Sequence, residues 1–213
     1  MYAEVKNNVV VRTLLSLPAK KSFDGSPFDF TKIGIYPVVH SGVAVDQFYQ
    51  QLQVNPLDLW EIDALNKTVV ATYSVLERSL ADVKREVLES LKVTRKEYEA
   101  SGIEVTLADL SKVKIDVDGE SRSTLTAKYL AIVSGLYVAE MFKLFDNSWV
   151  HMSQEDMGTV CRAANVFVHS CFQIEYAKTL VIEAAQTIQE LKTVNGTIRS
   201  GWPADSLLNV VVV

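Results

Sequence analysis

The side chains best suited to metal or nucleophilic chemistry are His40, His151 and His169, Cys161 and Cys171, and the acids of Asp116-Val-Asp-Gly-Glu-Ser121. Cys161, His169 and Cys171 cluster in sequence, in a stretch that reads as one helix. There Cys161 and His169 are about 12 Å apart along the axis, whereas zinc ligands sit about 2.0–2.3 Å from the metal. One chain does not close that site. A symmetric oligomer could gather copies of one such residue on its axis, but the expected place of Cys171 is a core or seam. The two cysteines are about 15 Å apart on the helix, too far for a disulfide. Asp116 and Asp118 resemble the opening of a calcium loop, but the next alternate acid is missing and Ala127 stands where the closing Glu belongs. The turn is therefore expected to cap a helix through Asp118, Ser121 or Ser123. Ser41 lies between His40 and Gly42, yet adjacency is not triad geometry and no orienting acid is nearby. Nucleophile-elbow, zinc-helix, phosphate-loop and dinucleotide patterns are absent from the sequence. The residues point away from an enzyme, and no cofactor or metal is expected. Trp60, Tyr73, Trp149 and Trp202 are expected to be core residues.

The elements around these residues change character near residue 77. Residues 1–76 read as a small, antiparallel, β-rich domain. Asn7-Asn8 separates two short apolar runs, as in a two-residue hairpin spanning Tyr2 to Arg12. Ser22 to Phe28 reads as a surface loop, and Ile33 to Val39 as a strand that Pro37 confines to an edge or an end. Leu57 to Asp63 and Thr68 to Val75 suggest a second hairpin.

From Ser79 the apolar period becomes helical. Leu80, Val83, Val87, Leu91 and Tyr98 share one stripe, so 77–102 reads as a connecting amphipathic helix stopped at Gly102. The remainder, 103–213, reads as a helical domain with short hairpins. Ile103 to Leu107 and Val113 to Val117 are strands, and a helix over 123–143 is apolar on nearly every side, which implies burial. Asp146-Asn147 turns before Trp149, and Ser153 opens a long helix over 153–192 that Asn195-Gly196 ends. Along it Val160, Ala164, Phe167, Cys171, Ile174, Lys178, Val181, Ala185 and Ile188 follow four-three spacing, with Lys178 the one polar member. Two readings fit: an oligomeric coiled-coil seam, or an ordinary helix packed on the 123–143 helix. Val210 to Val213 form an apolar tail that must dock or pair. The fold class is α+β.

Composition bounds the partners. The 48% apolar and 22% charged fractions are those of an ordinary globular chain, long enough to bury a core without staples. With 21 basic against 26 acidic residues the formal charge is −5, and the basic residues are scattered, so no nucleic-acid binding is expected. No signal-peptide layout or long apolar run is present, so no membrane insertion is expected.

The order of motifs in the carboxyl-terminal half resembles a domain of unknown function found at the ends of tailed-bacteriophage tail proteins. The carrying residues are Asp116-Val-Asp-Gly-Glu-Ser-Arg-Ser123, Phe145-Asp-Asn-Ser-Trp-Val-His-Met-Ser153, Val168-His-Ser-Cys-Phe172, Ala184-Ala185 and Gly201-Trp-Pro203. The openings at Tyr2 to Val11 and Trp60 to Val75 also resemble those of small phage tail proteins. The resemblance implies a virion protein of the tail fibre or baseplate, or a chaperone that assembles the fibre, and carries over no catalytic residue. It implies partners that are other tail or baseplate proteins and further copies of this chain. A homotrimer follows from the class, because fibres are commonly threefold, and not from the heptads. A phage-encoded enzyme would need a polar pocket holding His40, His151 or the Asp116–Asp118 turn.

Overall fold

Two asparagines with positive φ, Asn7 at 51° and Asn8 at 63°, turn strand β1 (Tyr2–Lys6) back onto β2 (Val9–Leu14). Both central residues left-handed is the type I′ geometry that matches strand twist, and asparagine tolerates it better than most residues. The computed structural model describes residues 1–17 and 28–203. Most of the Ser22–Phe28 loop and the whole Val210–Val213 tail lie outside the described residues. The architecture is α+β, in two compact units, 1–79 and 80–213.

The first unit holds β3 (Ile35–His40), β4 (Gln50–Val54), β5 (Glu61–Asp63), β6 (Thr68–Ala71) and β7 (Tyr73–Glu77). Its main sheet runs β2-β1-β3-β6-β5. All neighbours are antiparallel except β3 and β6, which are parallel, so the expected wholly antiparallel sheet is corrected. Pro37 is also not at an edge, because β3 lies in the middle of the sheet. It changes partner along its length: residues 35–37 pair with β1 and residues 38–40 with β6. The Val38 N–H points to β1, where it donates to the Met1 carbonyl. By alternation the missing N–H of Pro37 falls on the other side, just before the β6 ladder begins. The expected single strand over 68–75 is broken at Thr72 into β6 and β7, and β7 pairs with β4 in a separate ribbon. Ala3, Val10, Trp60, Val69 and Ala71 are the buried core of this unit. Trp60 can be there because its indole N–H donates to the Asn55 carbonyl at 2.9 Å. Gly34 closes the turn into β3 with φ at 77°, where a Cβ would stand 2.4 Å from the Val5 carbonyl oxygen.

The second unit begins with α1 (Leu80–Ala100), where Val83, Val87, Leu91 and Thr94 face inward at helical spacing. This helix is part of the second unit and packs on its long helix. Gly102, with φ at 74°, stops it and starts the hairpin of β8 (Ile103–Thr106) and β9 (Lys112–Ile115). Helix α2 (Gly119–Val133) starts four residues before the expected 123 and ends ten before the expected 143. Asp118 is its cap, accepting from the Ser121 N–H at 2.8 Å. Gly135 in the left-handed region stops it, with its N–H on the Ile132 carbonyl. Met141 and Phe142, expected in that helix, lie in β10 (Glu140–Lys143), which pairs with β11 (Trp149–Met152) across the Asp146-Asn147 turn.

Helix α3 (Gln154–Ala184) is followed by α4 (Ile188–Gly196), so the expected 153–192 helix is two helices. Ser153 caps the first. The break comes from a second cap. Thr187 accepts from the Glu190 N–H, and Glu190 reaches back to the Gln186 N–H at 2.6 Å. The closing Gly201-Trp-Pro203 folds onto α1. Trp202 stacks on Tyr98 with ring centroids 5.3 Å apart, and the Tyr98 hydroxyl donates to the Arg199 carbonyl.

Candidate functional site

The four-three stripe divides into three parts. Val160, Ala164, Phe167 and Cys171 are buried within the second unit, where α3 packs on α1 and α2. Ile174 and Lys178 are half-buried, and the Lys178 ammonium donates to the Thr197 carbonyl at 2.9 Å. Val181 is 54% exposed, Ala185 is the residue that ends α3, and Ile188 belongs to α4. The stripe is therefore no continuous four-heptad seam, because the helix that would carry it stops at Ala184. Its first half is the core of the protomer.

A buried ionic cluster flanks that core. Glu99, only 2% exposed, accepts from Arg95 at 2.5 Å and lies 3.5 Å from Arg122, while Arg95 also meets Glu175 at 2.8 Å. The Arg95 guanidinium covers the Phe172 ring at 4.3 Å. Burial pushes the neighbouring Cys171 thiol up to about 11, with the Glu99 carboxylate acting in the same direction. Cys161 is also raised by burial, and its thiol donates to the Leu125 carbonyl at 3.3 Å. Both thiols are free. Such groups make poor nucleophiles. Ellman's reagent is expected to react with neither cysteine in the folded protein near neutral pH, and with both after denaturation. Rapid modification of the folded chain would contradict this burial. The unfolded chain deprotonates first as pH rises. The Cys171 contribution to stability is thus intact below about pH 9 and lost towards about 11.

The remaining sequence candidates are not brought together. His40 hydrogen-bonds the Tyr73 hydroxyl in the first unit, and Ser41 donates to the Ala71 carbonyl. His151 and His169 are exposed on β11 and α3. Asp118 spends its acceptor on the α2 cap, and the Ser121 N–H holds its carboxyl below the usual carboxylate range. Among the described residues no three His, Cys, Asp or Glu side chains are grouped to hold a metal.

What the structure presents instead is exposed apolar surface. The 123–143 stretch expected to be buried keeps only Leu125 inside its helix, while Tyr129, Leu130, Val133, Leu136 and Val138 face solvent, Leu136 at 77% exposure. Sequence reading missed this because an all-round apolar stretch reads as core when the Gly135 stop is overlooked. The distal half of α3 adds Phe172, one face of which Arg95 covers, and Tyr176 and Leu180, at four-residue spacing, Tyr176 at 61% exposure. Trp60 and Trp202 are buried as expected and Tyr73 is half-buried, but Trp149 is 61% exposed, against expectation. In β11 alternation turns Val150 and Met152 inward and leaves Trp149 outside, opposite Lys143.

A family model described as "Domain of unknown function (DUF4376)" matches residues 82–195, from the first turn of α1 to the last turn of α4. No curated protein and no solved structure matches the chain.

Proposed function

We propose, from the premise that the chain belongs to the DUF4376 family, that it is a structural component of a bacteriophage tail. In this reading it is a tail fibre or baseplate-attached protein, carried in the virion, that acts in fibre attachment or host adsorption. The observation that carries the reading is the apolar surface left open on α2, the segment after it, and distal α3. Exposed large apolar side chains grouped on a helix face mark interaction surface. Support comes also from the first unit, whose β4–β7 ribbon is exposed along nearly its whole length. A two-stranded ribbon is marginal alone and gains by pairing with a partner. The family-like motifs hold the framework. Ser121 receives a cap, Asn147 makes a turn at φ 67°, and Trp202 closes onto α1.

The chain then works as a homotrimer, with the open faces of α2 and α3 covered by neighbouring copies, and docks other tail or baseplate proteins. Its self-association is tested by light scattering on the purified chain. The Leu130→Asp, Tyr176→Asp double variant is expected to run as monomer with an unchanged melting temperature, since both side chains stand outside the core. A charge buried at the contact costs about 2–5 kcal/mol, roughly thirtyfold or more in dissociation constant. A wild-type chain that stays monomeric at every concentration, or a variant that still assembles, would contradict it.

A further inference from the structure

A groove of about 430 Å³ lies between α2 and the β10–β11 hairpin, within the size range of small-ligand sites. The exposed Trp149 and the partly exposed Phe145 supply aromatic surface to it. Glu120 and Thr124 line it from α2, and Asn147 lines it from the hairpin turn. Asn147 is preset, because its left-handed backbone is held by its N–H on the Leu144 carbonyl. Among the described residues the Glu120 carboxylate and the Asn147 amide have no hydrogen-bond partner. Trp149 has no part in the core, which Val150 and Met152 reach from the same strand. Its two counterparts, Trp60 and Trp202, are buried with their indole N–H groups on backbone carbonyls.

We propose that this groove binds a neutral pyranose unit of an oligosaccharide. A pyranose has a face of C–H groups and a rim of hydroxyls. It is held by an aromatic plate against the face and by carboxylate, amide and hydroxyl groups at the rim. Trp149 is the plate, and Glu120, Asn147 and Thr124 are the rim. The charge favours a neutral ligand. Lys128 is paired with Glu140, which leaves Asp116 and Glu120 balanced by Lys143 and by Lys114, whose ammonium lies 4.5 Å from the Phe145 ring centre. A polyanionic glycan would find no excess of cation there to repay the loss of its hydration. The inference goes beyond the tail assignment and stands without it.

The test is saturation-transfer NMR on the full chain with maltotriose, cellotriose and chitotriose as probes, and a sulfated trisaccharide as the charged control. At least one neutral probe is expected to receive transfer at its ring C–H protons and to change tryptophan emission, with millimolar affinity, while the sulfated control does not. Because Trp149 is the solvent-facing indole, the emission change reports it directly. Trp149→Ala is expected to weaken binding about tenfold or more, Glu120→Gln to weaken it less, and both to keep the wild-type melting temperature. Any one of three results would overturn the proposal: no transfer to any neutral probe, equal binding by Trp149→Ala or by the sulfated control, or concentration-dependent shielding of Trp149 from acrylamide without sugar. The last would show that another copy of the chain covers the ring.

Discussion

Phe167→Asp is expected to unfold the second unit, not merely to separate an assembly. Phe167 has no exposed surface, and it lies on the face of α3 that packs on α1 and α2. Truncating a buried Phe alone costs about 3–5 kcal/mol. A carboxylate in its place adds desolvation without a partner, since the nearby ionic cluster already balances two arginines with two glutamates. The sum falls within the range of the whole stability of an ordinary domain, about 5–15 kcal/mol. Far-UV circular dichroism should show most of the helical signal gone at room temperature. A well-folded monomer with the wild-type spectrum would mean instead that Phe167 faces another chain.

Glu99→Ala should be the next most damaging single change. With Glu99 removed, Arg95 and Arg122 lose their shared carboxylate, and two arginines are left against one glutamate. Glu175 still meets Arg95 at 2.8 Å, and Arg122, a third of whose side chain is exposed, turns to water, so the loss falls on the buried Arg95–Glu99 pair. Breaking one partner out of a buried ion pair costs about 3–5 kcal/mol. For a chain of this size that lowers the melting temperature by on the order of 10 °C. Glu99→Gln keeps the shape and one acceptor, and should lose less. The control is Arg85→Ala, which removes an exposed i,i+3 pair with Asp82 and should hardly move the transition. Equal small shifts for Glu99→Ala and Arg85→Ala would show that the cluster is solvated.

Local signals in the sequence carried the local structure. Asn7-Asn8 announced its hairpin, Val83, Val87 and Leu91 announced α1, and Ser153 announced the start of α3, because each depends on neighbours within a few residues. The errors came where a strong apolar pattern hid a weaker stop. Ser134-Gly135 ended α2 inside an apolar run, and Thr187-x-x-Glu190 was a legible cap that the four-three stripe overrode. Pro37 sits in a central strand because β3 changes partner, and that pairing joins residues some thirty positions apart. No local propensity reports it. Glu99 was illegible for a different reason: its partner Arg122 comes from α2, and Glu175, which holds its other partner Arg95, comes from α3, so its burial exists only in the tertiary structure. The candidate surface was half legible. Trp149, Leu130 and Leu136 are visible as large apolar residues, but which of them remain exposed is decided by where α2 stops.

The central claim, the proposed structural role in a phage tail, is tested most directly by quantitative mass spectrometry of phage particles purified from a lysate in which the chain is produced. The expected result is a fixed copy number relative to the major tail proteins, in a multiple of three. Absence from the particles, with abundance in the lysate, would contradict it and leave the fibre-assembly chaperone as the better account.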